Sequence, residues 1–254
     1  MRILAEILEN LPLCEGVYKM VLKAPEAAKT AGAGQFVHIA VPDGDKILRR
    51  PISICDVNGE SITVVYAVRG GGTASLSSLQ SGEKLDILAP LGHGFMLEGR
   101  DSIAAVGGGI GIFPLLYALK RSNASKKTAF LGFRNKSSAV LLEEFGKVCD
   151  LHIATEDGSL GEKGFVTAAL KQEWSGFDTV LACGPGPMLR AVNSVCASHG
   201  IDPQLSVEER MGCGLGGCLV CACKVKAGDW YDYAHVCTDG PVFLGSQLDW
   251  EVDA

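Results

Sequence analysis

Near the C-terminus, Cys213, Cys218, Cys221 and Cys237 follow the spacing C-x4-C-x2-C-x15-C, and no other feature restricts the chain so tightly. The first three are interleaved with Gly212, Gly214, Gly216 and Gly217. Glycine lets a backbone curl around an inorganic core and aim its N–H groups at sulfur without a steric cost. The spacing is that of thiolates holding a [2Fe–2S] cluster, so an electron carrier is expected. A four-cysteine zinc site is the competing reading. Zinc ribbons, however, pair two short knuckles, whereas here three ligands share one loop and the fourth is distant. Cys223 could offer an alternative ligand, and the x4/x2 register favours Cys221.

The chain has 254 residues, 47% of them hydrophobic, enough for a large core and more than one domain. A net charge of -6 without a basic cluster gives no footprint for nucleic acid or anionic lipid. The first residues lack a basic segment leading into an apolar run, which predicts a cytoplasmic protein. Ile103–Leu119 carries no charge, yet four glycines and Pro114 within it favour a strand, a turn and a helix start over a membrane span. Ten cysteines, half of them between 213 and 237, fit a metal site in a reducing compartment better than a disulfide scaffold. Cys14, Cys55, Cys149 and Cys196 stand singly among apolar residues and read as core side chains.

Residues 1–98 alternate with period two, as in Ser61–Val68, where Ile62, Val64, Tyr66 and Val68 share a face; this predicts antiparallel strands closed into a small barrel or sandwich. Residues 99–207 switch to short apolar strands separated by helical stretches, the pattern of a parallel sheet with crossover helices. Strands are expected at Ser102–Val106, Thr128–Phe133, His152–Thr155, Thr179–Cys183 and Gln204–Val207, and helices near 114–121, 138–147, 165–172 and 186–199. In 208–254 periodicity dissolves, and few apolar residues are available for a core, so order there is expected to depend on the metal.

Two stretches of the first part can hold a ligand. In Arg50-Pro51-Ile52-Ser53 an arginine can clamp a diphosphate and a serine can donate to a ring nitrogen; Gly70-Gly71-Gly72-Thr73 follows the next strand. A surface Arg–Pro and a hairpin turn are the bland alternatives. In the second part, Gly107-Gly108-Gly109-Ile110-Gly111 joins a strand to a helix whose N-terminus suits a dinucleotide diphosphate, against the alternative of tight strand–helix packing. Cys183-Gly184-Pro185 closes another strand at the same edge, and two such ends mark a ligand crevice.

In this order, R-P-x-S, G-G-x-G and C-G-P resemble the ferredoxin-reductase superfamily. The run from Glu208-Glu209-Arg210-Met211-Gly212-Cys213 to Val236-Cys237-Thr238-Asp239-Gly240-Pro241-Val242-Phe243 narrows the resemblance to the electron-transfer subunits of NAD-dependent, two-subunit dihydroorotate dehydrogenases, over essentially the full length. The resemblance implies an FAD-binding β-barrel, an NAD-binding α/β domain and a C-terminal [2Fe–2S] segment. It assigns Arg50, Pro51, Ile52, Ser53, Val65, Tyr66, Ala67, Gly72 and Thr73 to FAD, and Gly107, Gly108, Gly109 and Gly111 to the nicotinamide dinucleotide. Cys183 falls near the nicotinamide as the catalytic candidate, and Cys213, Cys218, Cys221 and Cys237 become the metal ligands.

The partner it implies is an FMN-bearing catalytic subunit, in a heterotetramer with two copies of each chain. Flavin must lie between the other carriers, because nicotinamide trades electrons in pairs and the cluster singly. Docking is expected near the cluster, where Trp230, Tyr231 and Tyr233 serve either as anchors or as local packing. The five histidines show no ligand spacing and read as structural or solvated; His235, two residues before Cys237, could tune the cluster. Arg134-Asn135-Lys136 could meet a 2′-phosphate, but Glu156-Asp157 would repel one, and the resemblance favours NAD. The alternatives are the flavin/iron–sulfur subunit of a sulfide dehydrogenase or of a bifurcating transhydrogenase, which typically replace one cysteine by aspartate, and a zinc-stabilised nucleotide-binding module without turnover.

Overall fold

The computed structural model describes residues 1–42, 44, 46–228 and 230–250. Six antiparallel strands close a barrel in the order β1-β2-β5-β4-β3-β6: β1 (Arg2–Cys14), β2 (Val17–Lys23), β3 (Phe36–Ile39), β4 (Arg50–Asn58), β5 (Ser61–Ala67) and β6 (Lys84–Leu91). Closure leaves no free edge to pair with other chains. Inward positions such as Ile7, Met20, Leu22, Ile39, Ile54, Ile62, Val64 and Ile87 are fully buried. Two short helices cap the barrel, α1 (Pro25–Thr30) and α2 (Gly71–Ser77). The glycine run after β5 is therefore the start of α2, not a hairpin turn.

The expected common face of β5 holds for Ile62, Val64 and Tyr66, while Val68 lies beyond the strand and is half-buried. The Tyr66 hydroxyl donates to Asn10 Oδ1 at 3.0 Å, which satisfies the polar end of a buried ring. Val65, on the opposite face, is buried too, because that face is covered by the rest of the molecule.

The second layer is a seven-stranded sheet in the order β10-β9-β8-β7-β11-β12-β15. Its parallel part comprises β7 (Ser102–Gly108), β8 (Lys126–Phe133), β9 (Asp150–Thr155), β10 (Glu162–Lys163), β11 (Thr179–Cys183) and β12 (Gln204–Ser206), with helices α3 (Ile112–Arg121), α4 (Leu142–Gly146), α5 (Val166–Gln172) and α6 (Gly186–Ser198). The helix expected near 138–147 is shorter, because the Asn135 side chain caps a separate 3-10 turn at Lys136–Ser138. The uncharged stretch Ile103–Leu119 is β7 and α3. Helix α3 is apolar all round because it is sandwiched between sheet and barrel, burying every residue from Ile112 to Leu119. Its Tyr117 hydroxyl donates to the Ala31 carbonyl at 3.0 Å and Lys120 pairs with Asp56, tying the two layers together. No helix among the described residues is long and apolar enough to cross a membrane.

The C-terminal segment is more ordered than its sequence suggests. Strands β13 (Ala222–Ala227) and β14 (Trp230–His235) form a hairpin, and β15 (Val242–Leu244) adds antiparallel to β12. Cys221, Val236, Cys237, Phe243 and Leu248 are buried in one core with the α/β layer. They come from separate turns and strands, so no local periodicity announces them. Cys55 and Cys196 are buried as expected, whereas Cys14, at a hairpin end, and Cys149, just after α4, are only half-buried.

Candidate functional site

One cavity of about 380 Å³ draws its walls from all three parts of the chain. The barrel contributes Arg50, Pro51, Ile52, Ser53, Val65, Tyr66, Ala67 and Thr73; the α/β layer contributes Ile110, Phe113 and Cys183; Glu208, Glu209, Met211 and Pro241 come from the C-terminal segment. Residues more than 150 positions apart in the sequence, such as Arg50 and Met211, thus face one space, and Cys183 faces it with them.

The two consecutive arginines take different sides of the strand. Arg49 turns to the barrel, where its guanidinium meets the Asp86 carboxylate at 2.9 Å and donates to the Asp86 carbonyl at 2.9 Å. Arg50 turns to the cavity and lies over the start of α2: a Cβ on Gly72 would fall 2.3 Å from its Nε. Gly72 is not in the cavity wall; its part is to leave room for that guanidinium. Thr73 Oγ1 accepts from the backbone N–H groups of Arg69 and Gly70 at 2.8 and 3.3 Å, which closes the loop ahead of the helix.

At the carboxyl edge of the sheet, β7 and β11 pair in register with Gly107 opposite Cys183. The four glycines divide into two kinds. A Cβ on Gly107, Gly108 or Gly111 would collide with Ile112, Met188 or the Cys183 carbonyl, the last at 2.2 Å. Gly107 makes room for its own helix α3, the tight strand–helix packing of the alternative reading, and Gly108 and Gly111 let the turn touch the loop after β11. Gly109 instead has φ +56° with open space before it, so its backbone is presented outward. None of the four lines the cavity, whereas the intervening Ile110 does.

Burial pushes the Cys183 thiol up to about 12, so it stays neutral and serves as a compact wall rather than a thiolate. Glu208, which sequence reasoning left without a role, lines the cavity while staying open to solvent; partial burial raises its carboxyl above the usual range, with Arg69 acting against it. Phe36, Phe113 and Met211 were also unannounced. Met211 belongs to the run that carries the family resemblance but was given no role there, and only the fold brings the three side chains to this cavity.

The four cysteines fit a two-iron centre. Three backbone N–H groups point at sulfur: Cys213 to Cys218 Sγ at 3.4 Å, Leu215 to Cys213 Sγ at 3.4 Å and Gly216 to Cys237 Sγ at 3.3 Å. The thiols stand in two neighbouring pairs, Cys213 with Cys218 and Cys221 with Cys237, a donor set that suits a two-iron centre. Among the described residues no three His, Cys, Asp or Glu side chains converge on a single-ion position. The Leu215 N–H holds the Cys213 thiol down to about 7, while burial pushes Cys237 up to about 11. Cys223 is half-buried on β13, and burial pushes it up to about 11; it takes part in none of the three N–H contacts.

The segment is seated on the barrel. The His93 N–H donates to the Gly240 carbonyl at 2.6 Å, and Gly214, at φ +72°, lies so close to His38 that a Cβ would come within 2.4 Å of its Nδ1. His38 is fully buried, and burial, followed by the Arg49 guanidinium, pushes its imidazole down to about 4. His235 Nδ1 is 3.8 Å from Asp239 Oδ2, and the Asp239 carboxylate also accepts the His235 backbone N–H at 2.6 Å. Trp230, Tyr231 and Tyr233 are exposed, as are Leu215, Leu219 and Val220, so these aromatics do not pack around the metal loop.

A closed antiparallel barrel joined to a nucleotide-type sheet by a shared cavity, with a four-thiol loop docked on the barrel, defines an iron–sulfur flavoprotein reductase of the ferredoxin-reductase fold. The NADH-dependent reduced ferredoxin-NADP oxidoreductase structure superposes with a TM-score of 0.86 at 29% identity, covering 98% of this chain and 91% of that one. A Plasmodium falciparum ferredoxin-NADP+ reductase shares the fold at a TM-score of 0.65 and 15% identity, over 80% of this chain and 96% of that one. Residues 208–249 match the family model of the iron–sulfur cluster binding domain of dihydroorotate dehydrogenase B. The chain is 40% identical to the electron transfer subunit of dihydroorotate dehydrogenase B (NAD(+)) from Caldanaerobacter subterraneus, over 96% of this chain and 97% of that one. It is 41% identical to the Streptococcus mutans subunit of the same name, over 91% and 92%. It belongs to the family of dihydroorotate dehydrogenase B (NAD(+)) electron transfer subunits.

Proposed function

We propose that this chain carries electrons from dihydroorotate, oxidised on a separate FMN-bearing catalytic subunit, through a [2Fe–2S] cluster and FAD to NAD+ in pyrimidine (UMP) biosynthesis. The shared cavity carries this reading, because barrel, sheet edge and cluster segment all open onto it. FAD supplies the exchange between paired and single electrons that the other two carriers need.

The protein's own residues bind and orient. Arg50, with Gly72 leaving room for it, holds the flavin diphosphate; Pro51, Ile52, Ser53, Val65, Tyr66, Ala67 and Thr73 form the flavin wall. The outward backbone at Gly109, on the turn shared with Gly107, Gly108 and Gly111, receives the nicotinamide dinucleotide, and the neutral Cys183 thiol backs its ring. Cys213, Cys218, Cys221 and Cys237 ligate the cluster. NAD is preferred over NADP because the Asp157 N–H donates to the Arg134 carbonyl at 3.3 Å, which sets Glu156 and Asp157 beside the basic loop after β8.

The exposed Leu215, Leu219, Val220, Trp230, Tyr231 and Tyr233 around the cluster supply an apolar face for the catalytic subunit, in a cytoplasmic assembly of two copies of each chain. Mixing the purified chain with that subunit should give dihydroorotate-dependent NADH formation that neither gives alone. Failure with every FMN-bearing dihydroorotate dehydrogenase of the native cell would reject the reading. The bifurcating-reductase alternative retains one supporting observation, the close superposition on that enzyme's structure. It predicts instead an iron–sulfur partner without FMN.

A further inference from the structure

His38 has no ligand spacing to any cysteine, yet the fold sets it between flavin wall and cluster loop. It lies on β3, in register with Pro51 of β4, and a cavity residue, Phe36, precedes it by two positions. It is fully buried, and neither ring nitrogen has a hydrogen-bond partner in geometry. Buried polar atoms without partners are rare in folded proteins. On the far side of the ring are Gly214, close enough to exclude any side chain, and the backbone of Cys213. Arg49 donates to the His38 carbonyl at 3.3 Å, fixing the strand from behind.

We propose that His38 is a positioning residue for the cluster: its unpartnered ring N–H is the donor that closes onto the Cys213 carbonyl when the cysteines hold the cluster, seating the Cys213–Gly214 turn on the flavin barrel. The neutral ring has one N–H to give, and the turn it meets carries the first cluster ligand. Groups of this outer kind orient metal ligands, and their loss typically costs about 10–100-fold in metal affinity. The inference rests on the four-thiolate reading above.

The test uses the cofactor-loaded chain and two replacements of similar size. His38→Leu keeps the packing and removes the donor; His38→Gln keeps an N–H. The leucine variant should lose iron to a chelator about tenfold or more faster than wild type, with a changed electron paramagnetic resonance spectrum of the reduced cluster. The glutamine variant should recover most of both. Leucine protein with wild-type iron retention and spectrum would overturn the inference, since packing alone would then suffice.

Should the leucine variant not fold, wild-type protein with 15N-labelled histidine decides. One ring N–H should be protected from solvent exchange and shifted when the cluster is reduced, and absence of such a signal overturns the assignment. Wild-type protein holding zinc and no iron would instead sink the underlying [2Fe–2S] reading.

Discussion

Replacing Gly72 by alanine tests the flavin site at a point where sequence alone offers only a glycine run. The new Cβ would lie 2.3 Å from Arg50 Nε, 2.4 Å from one terminal nitrogen and 2.6 Å from Cζ. The guanidinium must then retreat by about 1.5 Å to reach ordinary contact. A diphosphate oxygen held by that group would lose a charge-assisted hydrogen bond, a contribution of about 1.5–3 kcal/mol. At 1.4 kcal/mol per tenfold, the FAD Kd should rise about 10- to 150-fold. Calorimetric titration of deflavinated protein with FAD measures it, with Arg50→Ala and the double variant completing a cycle. Because both single changes act on one contact, the double variant should be little worse than Arg50→Ala. An unchanged Kd in Gly72→Ala, or effects that add, would refute the placement of Arg50 on the diphosphate.

Gly111→Ala drives a Cβ to 2.2 Å from the Cys183 carbonyl and should destabilise by about 1–3 kcal/mol, lowering Tm by roughly 2–12 °C, and raise KM for NADH. Gly186→Ala, with open space and an ordinary backbone, should stay within about 0.5 kcal/mol of wild type; equal losses in the two thermal scans would contradict the packing argument. Cys237→Ser should purify without its cluster and Cys223→Ser with it, by iron and sulphide analysis; the reverse would reassign the fourth ligand. Glu208→Gln should raise Tm slightly at pH 7–8, because a carboxyl whose folded pKa is raised destabilises the fold once it ionises and solvent screening keeps that effect small at an exposed site. That gain should shrink as pH falls toward the unfolded carboxyl value of about 4.3, and a gap independent of pH would show that Glu208 carries no such penalty.

Much of the architecture was legible because it is written locally. Period-two alternation marked the barrel strands, and the change to strand–helix alternation marked the parallel sheet, down to Thr179–Cys183 as an element of its own. The cysteine spacing signalled the metal centre because one loop contains three of the four cysteines. What stayed hidden depends on contacts distant in sequence. The cavity joins Phe36 to Met211, and no periodicity connects them. The β13–β14 hairpin and β15 were missed because their order comes from pairing with each other and with β12. His38 looked like one histidine in an apolar strand, since the Gly214 turn against it lies 176 residues away. The glycines of the β7 turn stand there for different reasons: Gly107 makes room for helix α3, Gly108 and Gly111 make room for the loop after β11, and Gly109 carries the left-handed turn.

The account stands on a cluster and a flavin sharing one chain within electron-transfer distance. Anaerobic titration of the purified chain with NADH, followed by visible absorbance and by electron paramagnetic resonance on the same samples, tests this directly. Flavin bleaching together with the appearance of a reduced-cluster signal is predicted. Flavin that bleaches while an intact, reducible cluster remains oxidised through the whole titration would contradict it, as would a protein containing zinc with neither iron nor acid-labile sulphide.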